Sequence, residues 1–207
     1  MADLGSRPVL LSASFPSGRR GERFAPYDAD AVADAVTALV AAVFAANGRI
    51  VFGGHPTITP LVLRMAADHA AQQAVSVYQS EEFRDLITEP TRELERLGFG
   101  TIVSTPRGRD LSESLALMRH MMVERNTDMV GALFVGGMEG IADEYALVGE
   151  LRPTLARLPL TAPGGAAARL DPIGGTRRPL PPELADWLRS PRYPLTAARI
   201  VRFLSET

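Results

Sequence analysis

Short apolar runs alternate along this sequence with longer segments in which apolar residues recur at helical spacing. The runs lie at residues 8–14, 49–52, 75–78, 101–104, 130–135 and 158–162. Strands of a parallel sheet are covered by helices on both faces, so they read as continuous apolar runs separated by helical segments. The alternation therefore predicts an α/β protein with a three-layer, Rossmann-like fold and a mostly parallel central sheet.

The helical segments between the runs fit one domain. Helices are expected at residues 30–47, 61–73, 112–125 and 138–151, with a further helix that ends at Leu97 and Gly98. Ser112 is the expected N-cap of the helix at 112–125. The chain has 207 residues and shows neither a linker nor a repeat. It is predicted to form a single domain over residues 1–207, with its core at 8–170 and a helical extension at 171–207.

Composition excludes several classes of site and partner. The sequence has no cysteine, and its three histidines lack the spacing of metal ligands, so no metal and no other cofactor is expected. A formal net charge of −2 argues against a general nucleic-acid binder, although a small anionic ligand needs only a few local donors. The longest apolar stretch, at residues 38–46, is too short to span a membrane, and residues 1–7 lack the layout of a signal peptide. We therefore expect a cytoplasmic protein.

Three of the predicted strands end in a pair of glycines. The pairs are Gly53 with Gly54, Gly136 with Gly137, and Gly164 with Gly165. All carboxyl ends of parallel strands lie at one edge of the sheet, where ligands bind, and glycine lets the backbone approach a ligand closely. Each pair taken alone is more typical of a tight strand-to-helix turn than of a ligand site. Together the three pairs predict one shared ligand site.

The segment after the second glycine pair carries the most specific pattern. Met138, Glu139 and Gly140 follow the pair at the start of a predicted helix, where backbone N–H groups attract an anion. Glu144 lies one helical turn after Gly140, so its carboxylate could face a ligand bound there. The alternative is an ordinary solvated glutamate. Asp143 points about 100° away on an ideal helix and is interpreted as a surface residue.

The helix at residues 112–125 carries Arg119 and His120 among leucines and methionines. Arginine can bind phosphate or carboxylate through two parallel hydrogen bonds, so Arg119 is a candidate ligand-binding residue. The alternative is a surface ion pair with Glu113 or Glu124, and His120 is interpreted as a packed or surface histidine. The methionines are interpreted as core residues, and the apolar face of this helix also predicts a homodimer.

Small polar side chains follow the first two strands. Ser12 and Ser14 close the first strand, and His55 follows the first glycine pair. Hydroxyl groups at a strand end can bind a phosphate or a ribose, although serine is also common in loops. Arg19, Arg20 and Arg23 are expected in the loop that follows.

Four pieces of the sequence, at residues 11–16, 52–56, 135–140 and 162–167, resemble the SLOG superfamily. That superfamily has a Rossmann-like fold and includes the lonely-guy phosphoribohydrolases, the DNA-processing DprA proteins and the N-terminal domains of TRPM channels. The phosphoribohydrolase signature is Pro-Gly-Gly-x-Gly-Thr-x-x-Glu, preceded by a helix that carries an arginine. Four positions match it when one extra residue is allowed (Gly136, Gly137, Gly140 and Glu144), and Arg119 falls near the position of the arginine. Val135 and Ile141 stand where the signature has proline and threonine.

The resemblance implies two functions for the same residues. The stand-alone bacterial members suggest a sensor that binds a nucleotide or an NAD-derived signal and acts on an effector protein. The phosphoribohydrolases suggest a nucleoside 5'-monophosphate N-glycosidase with Arg119 on the phosphate and Glu144 at the sugar. Binding of single-stranded DNA, as in the DNA-processing members, is disfavoured by the net charge.

Overall fold

A six-stranded parallel sheet forms the centre of the residues that the computed structural model describes, which are 2–175 and 179–206. Its strands are β1 (Pro8–Ser14), β2 (Arg49–Gly53), β3 (Val75–Ser80), β4 (Thr101–Thr105), β5 (Gly131–Gly136) and β6 (Arg157–Leu160). The strand order is β4-β3-β2-β1-β5-β6, and every pair of neighbours is parallel. The predicted α/β, Rossmann-like architecture is confirmed.

Helices cover both faces of the sheet. They are α1 (Gly18–Glu22), α2 (Ala29–Ala45), α3 (Ile58–Asp68), α4 (Glu89–Arg96), α5 (Leu111–Arg125), α6 (Glu139–Leu151), α7 (Pro182–Leu188) and α8 (Tyr193–Ser205), with short 3-10 turns at Glu81–Leu86 and Ala166–Arg169. Successive side chains of a strand point to opposite faces. Leu133 and Val135 of β5 therefore join the core under α2, α3 and α8, whereas Ala132 and Phe134 join the core under α5 and α6.

The helix boundaries differ from the sequence prediction most clearly in α5 and α3. The N-cap of α5 is Asp110, whose carboxylate accepts a hydrogen bond from the Glu113 N–H at 2.8 Å, so Ser112 lies inside the first turn. Helix α3 begins at Ile58 and includes Pro60 in its first turn. N–H groups in the first turn have no acceptor within the helix, so the N–H that proline lacks costs no hydrogen bond there. It ends at Asp68, well short of the predicted residue 73. Helix α1 was predicted as loop.

The end of the chain packs into the main core. Ala197, Ile200 and Leu204 of α8 are fully buried in the same apolar cluster as Leu39 and Val43 of α2. Residues 176–178 of the predicted extension lie outside the described part of the chain. No helix among the described residues is long and apolar enough to cross a membrane.

The apolar face of α5, on which the predicted homodimer depends, is partly buried in the core and partly exposed. Met118 and Met122 are buried against the sheet, as expected of core methionines. Leu111 and Leu117 are exposed on the same helix, at 52% and 37%. Those two leucines are the part of α5 left for a second subunit, and the homodimer stays a prediction.

Candidate active site

A cleft lies over the carboxyl ends of β1 and β2 and beside the start of α6, where the sheet changes direction. The chain moves outward from β1 to β4 and then crosses to β5 on the other side of β1. Connections that leave neighbouring strands in opposite directions open a crevice between them, and ligands of this fold class bind there. The cleft has a volume of about 160 Å³. It brings together eight residues singled out from the sequence: Ser12, Ser14, Gly53, Gly54, His55, Arg119, Gly140 and Glu144.

Arg119 and Glu144 form an ion pair in this cleft. The Arg119 Nε donates to Glu144 Oε1 at 3.3 Å, and Nη1 donates to Asp143 Oδ2 at 3.2 Å. The side chains of Arg119 and Glu144 are only 17% and 12% exposed, whereas that of Asp143 is 60% exposed. Arg119 therefore pairs with α6 and not with Glu113 or Glu124, because Glu113 instead binds Arg109 at the start of α5.

Burial controls the protonation of Glu144. Its removal from water raises the pKa of the carboxyl above the usual value, and Ser12 and Arg119 oppose this shift. Ser12 is 2% exposed and lines the cleft, and its hydroxyl lies close enough to the Glu144 carboxyl to favour the charged form. Its Oγ makes no hydrogen bond of normal geometry to a described residue, so a ligand atom could complete its hydrogen bonding.

Glycine is required where the guanidinium of Arg119 passes over α6. A Cβ at Gly140 would lie 2.7 Å from Arg119 Nη2, so any side chain there would displace the arginine. On the opposite wall, a Cβ at Gly53 would lie 3.0 Å from Met118 Cε and 3.8 Å from Glu144 Oε1. These two glycines leave room for the ion pair and for the space beside it.

The second glycine pair shapes the turn from β5 into α6 without lining the cleft. Gly136 and Gly137 have φ values of +62° and +73°, a region that side chains rarely adopt. The Gly137 N–H donates to the Ser14 carbonyl at 2.8 Å, and a Cβ at Gly137 would collide with Ile141. Met138 then caps α6 without a side-chain hydrogen bond. Glycine is thus needed at both positions for the conformation and the packing of the turn.

The carboxylate of Glu139 lies at the N-terminus of α6. Its own backbone N–H and the guanidinium of Arg20 hold its pKa below the usual value. Arg20 Nη2 lies 2.9 Å from Glu139 Oε2, and Arg23 Nη2 lies 3.9 Å from Oε1. These arginines come from α1 and its C-cap. Glu139, which was predicted at the helix start where an anion would bind, is therefore itself paired with two cations.

The third glycine pair lies at the same edge of the sheet but in a different depression. Gly164 and Gly165 have φ values of +81° and +75°, and they pack against the backbone of Pro26 and Gly136 respectively. They line a hollow together with Tyr27 and Arg169, and they do not line the cleft that holds Glu144. The four predicted turns therefore share an edge, but they do not share one pocket.

His55 stands at one end of the cleft. Burial lowers the pKa of its imidazole from the usual 6.5. The Thr57 hydroxyl lies 2.9 Å from His55 Nδ1, and the Thr57 backbone N–H lies 3.4 Å from the same atom. These contacts hold the ring against the start of α3.

Two residues of the site were not recognised from the sequence. Asp143 was interpreted as a surface residue, because it points away from Glu144 on the helix, but the long side chain of Arg119 reaches both carboxylates. Arg20 was interpreted as part of a loop, although its pairing with Glu139 places it at the N-terminus of α6. Among the described residues, no group of three or more histidine, aspartate or glutamate side chains is placed to hold a metal ion.

The burial of Glu144 predicts how stability depends on pH. A carboxyl with a raised pKa binds its proton more tightly in the folded chain, so its contribution to stability is largest below the unfolded pKa of about 4.5 and is lost as the pH rises above it. Glu144→Gln should therefore gain stability relative to wild type as the pH is raised from about 4.5. Urea denaturation of both proteins from pH 4.5 to about 8 measures this difference. The prediction would be contradicted if the free energy of unfolding of Glu144→Gln fell relative to that of wild type as the pH rose.

Comparison with known proteins identifies the family. A family model described as the SLOG cluster3 family matches residues 24–186. No curated protein and no solved structure matches the chain. The matched range includes β2 to β6, the three glycine pairs, and both α5 and α6, which hold the Arg119–Glu144 pair. With most of its sheet and its cleft inside that match, the chain belongs to the SLOG cluster3 family.

Proposed function

We propose that the chain binds a nucleotide or an NAD-derived small molecule in the cleft at the carboxyl edge of the sheet, and that it signals occupancy to an effector protein. The observation that carries this proposal is the Arg119–Glu144 pair, which is buried beside the hydroxyl of Ser12 at the switch point of the sheet. Membership of a SLOG family is compatible with a nucleotide-related function.

Arg119 retains donors for an anionic group. A guanidinium carries five N–H donors, and those on Nε and Nη1 account for its bonds to Glu144 and Asp143. Three N–H groups therefore make no hydrogen bond to a described residue, and Nη2 lies over Gly140 at the cleft wall. A phosphate could bind these donors while the ion pair stays intact, since the two carboxylates and the phosphate use different N–H groups.

Ser12 and Glu144 suit the sugar of such a ligand. The Glu144 carboxylate accepts hydrogen bonds, and the Ser12 hydroxyl can donate or accept. A ribose presents hydroxyl groups that match both. Their burial strengthens each bond, because water does not compete for the same atoms.

A second candidate is the nucleoside 5'-monophosphate N-glycosidase. The observation in its favour is the raised pKa of Glu144, because burial makes the carboxylate a stronger base near neutral pH. The C1'–N bond would break with its electron pair going to the base, and the oxygen of a water would bond to C1'. Glu144 would stabilise the positive charge that develops on the sugar and take one proton from that water, while the departing base gains a proton.

Arg119→Ala tests the binding proposal. Removing a charged hydrogen-bond donor from a phosphate should weaken binding roughly 10- to 100-fold. Isothermal titration calorimetry with the four common nucleoside 5'-monophosphates measures the loss, and a thermal melt confirms that the variant is folded. Arg64→Ala is the matched control, because Arg64 makes an ion pair of the same length with Asp68 but is 71% exposed. Equal affinities of Arg119→Ala and wild type would refute the assignment.

A further inference from the structure

A second cavity adjoins the cleft and differs from it in chemistry. It has a volume of about 260 Å³ and lies over β3 and β4, beneath the 3-10 turn at Glu81–Leu86. The cleft and the cavity share three lining residues, Gly54, His55 and Leu115. Their combined volume falls within the roughly 300–1,000 Å³ typical of small-molecule sites.

The walls of the second cavity are mainly apolar. Val77, Ile87 and Ile102 line it, and Phe83 adds an aromatic ring. The hydroxyl groups of Thr88 and Thr91 lie 2.9 Å apart and bind each other, so they are already satisfied. Such a surface favours a flat, largely apolar group over a charged one.

One polar side chain in this cavity has no partner. The Gln79 amide makes no hydrogen bond to a described residue, although it lines the cavity. It lies directly over Gly54, since a Cβ at that glycine would overlap Gln79 Oε1. An amide offers two donors and one acceptor oxygen, the combination that pairs with the polar edge of a nucleobase.

We propose that this cavity is the base subsite of the ligand, with the nucleobase beside Phe83 and its polar edge on Gln79. The inference rests on the proposed function, because the sugar and phosphate would occupy the adjoining cleft. His55 lines both spaces and so stands where they meet, beside the position of the sugar. The ligand would then extend from Arg119 across Gly53 and Gly54 to Phe83.

Phe83→Ala tests the base subsite. Adenosine 5'-monophosphate and ribose 5-phosphate are the two probes, because they differ only by the base. Wild type should bind the nucleotide at least about 10-fold more tightly than the sugar phosphate, since stacking on an aromatic ring contributes this much per base. Phe83→Ala should lose most of that advantage and leave the affinity for ribose 5-phosphate unchanged. Leu97→Ala is the control, because Leu97 is 56% exposed and lies outside the cavity.

The outcomes separate the inference from the proposed function. If ribose 5-phosphate binds and the nucleotide binds no better, the base subsite is refuted and the cleft still binds its ligand. If neither probe binds, both proposals fail. Methyl resonances provide a measurement that does not depend on a variant: adenosine 5'-monophosphate should shift those of Ile87 and Ile102, and should leave that of Leu195 unchanged. Unshifted resonances at Ile87 and Ile102 in the saturated complex would overturn the inference.

Discussion

The Glu144→Gln variant is expected to release base roughly 10²–10⁴-fold more slowly than wild type, if the chain is an N-glycosidase, while binding the nucleotide nearly as tightly. Glutamine keeps the shape of the side chain and one acceptor oxygen, but it cannot stabilise a positive charge or accept a proton. Most of the benefit of the carboxylate arises only as charge develops on the sugar, so the loss appears in the rate and not in the affinity. Chromatography of released base and calorimetry of binding measure the two quantities.

Asp143→Asn provides the matched control for this experiment. Asp143 also binds Arg119, but its side chain is 60% exposed and does not line the cleft, so its loss should change turnover only a few-fold. If the chain is a sensor, wild type has no turnover to lose, and Glu144→Gln should instead change affinity through its contact with a sugar hydroxyl. A Glu144→Gln variant with full turnover would exclude Glu144 as a catalytic residue.

Gly137→Ala is expected to destabilise the fold by about 2–5 kcal/mol. An alanine at a positive φ costs about 1–2 kcal/mol, and Gly137 has a φ of +73°. A Cβ there would also collide with Ile141 in the first turn of α6, and forcing an atom into a packed core costs about 1–3 kcal/mol more. The turn that carries Gly140 and Glu144 cannot relax freely, because the Gly137 N–H is bonded to the Ser14 carbonyl.

Gly5→Ala isolates the backbone part of this effect. Gly5 has a φ of +59°, and nothing lies within 4 Å of a Cβ built on it. Its substitution should therefore cost only the conformational term, about 1–2 kcal/mol. Urea denaturation of both variants gives the two free energies of unfolding. Equal losses would show that the collision with Ile141 is relieved without cost.

Much of the fold could be predicted from local patterns. The strands were found because each is an apolar run next to a turn, and β5 illustrates the reason: it is buried on both faces and ends in two glycines. Helix ends were less accurate, since a boundary depends on which nearby side chain caps the first N–H groups. The predicted cap of α5 was Ser112, whereas the structure has Asp110, which precedes Glu113 by three residues.

The partners within the site could be predicted only in part. The glycine pattern and the spacing from Gly140 to Glu144 singled out α6, and an arginine among leucines and methionines singled out Arg119. That Arg119 bridges Glu144 and Asp143 depends on how α5 and α6 lie against each other, which no local pattern encodes. The same holds for the separation of Gly164 and Gly165 from the cleft, because it follows from the packing of Pro26 and Tyr27 against them.

The sequence by itself determined the strands and helices and the edge of the sheet at which a site would lie. It did so through the alternation of strands and helices, the glycine turns at the carboxyl ends, and the helix start that carries Glu144. These are properties of neighbouring residues, set by backbone freedom and by the periodicity of apolar side chains. Only the tertiary structure decided which of those turns meet, which carboxylate loses its water, and that an apolar cavity opens beside the polar cleft. Those properties depend on contacts between residues far apart in the chain, because burial and pairing are created when the layers pack together.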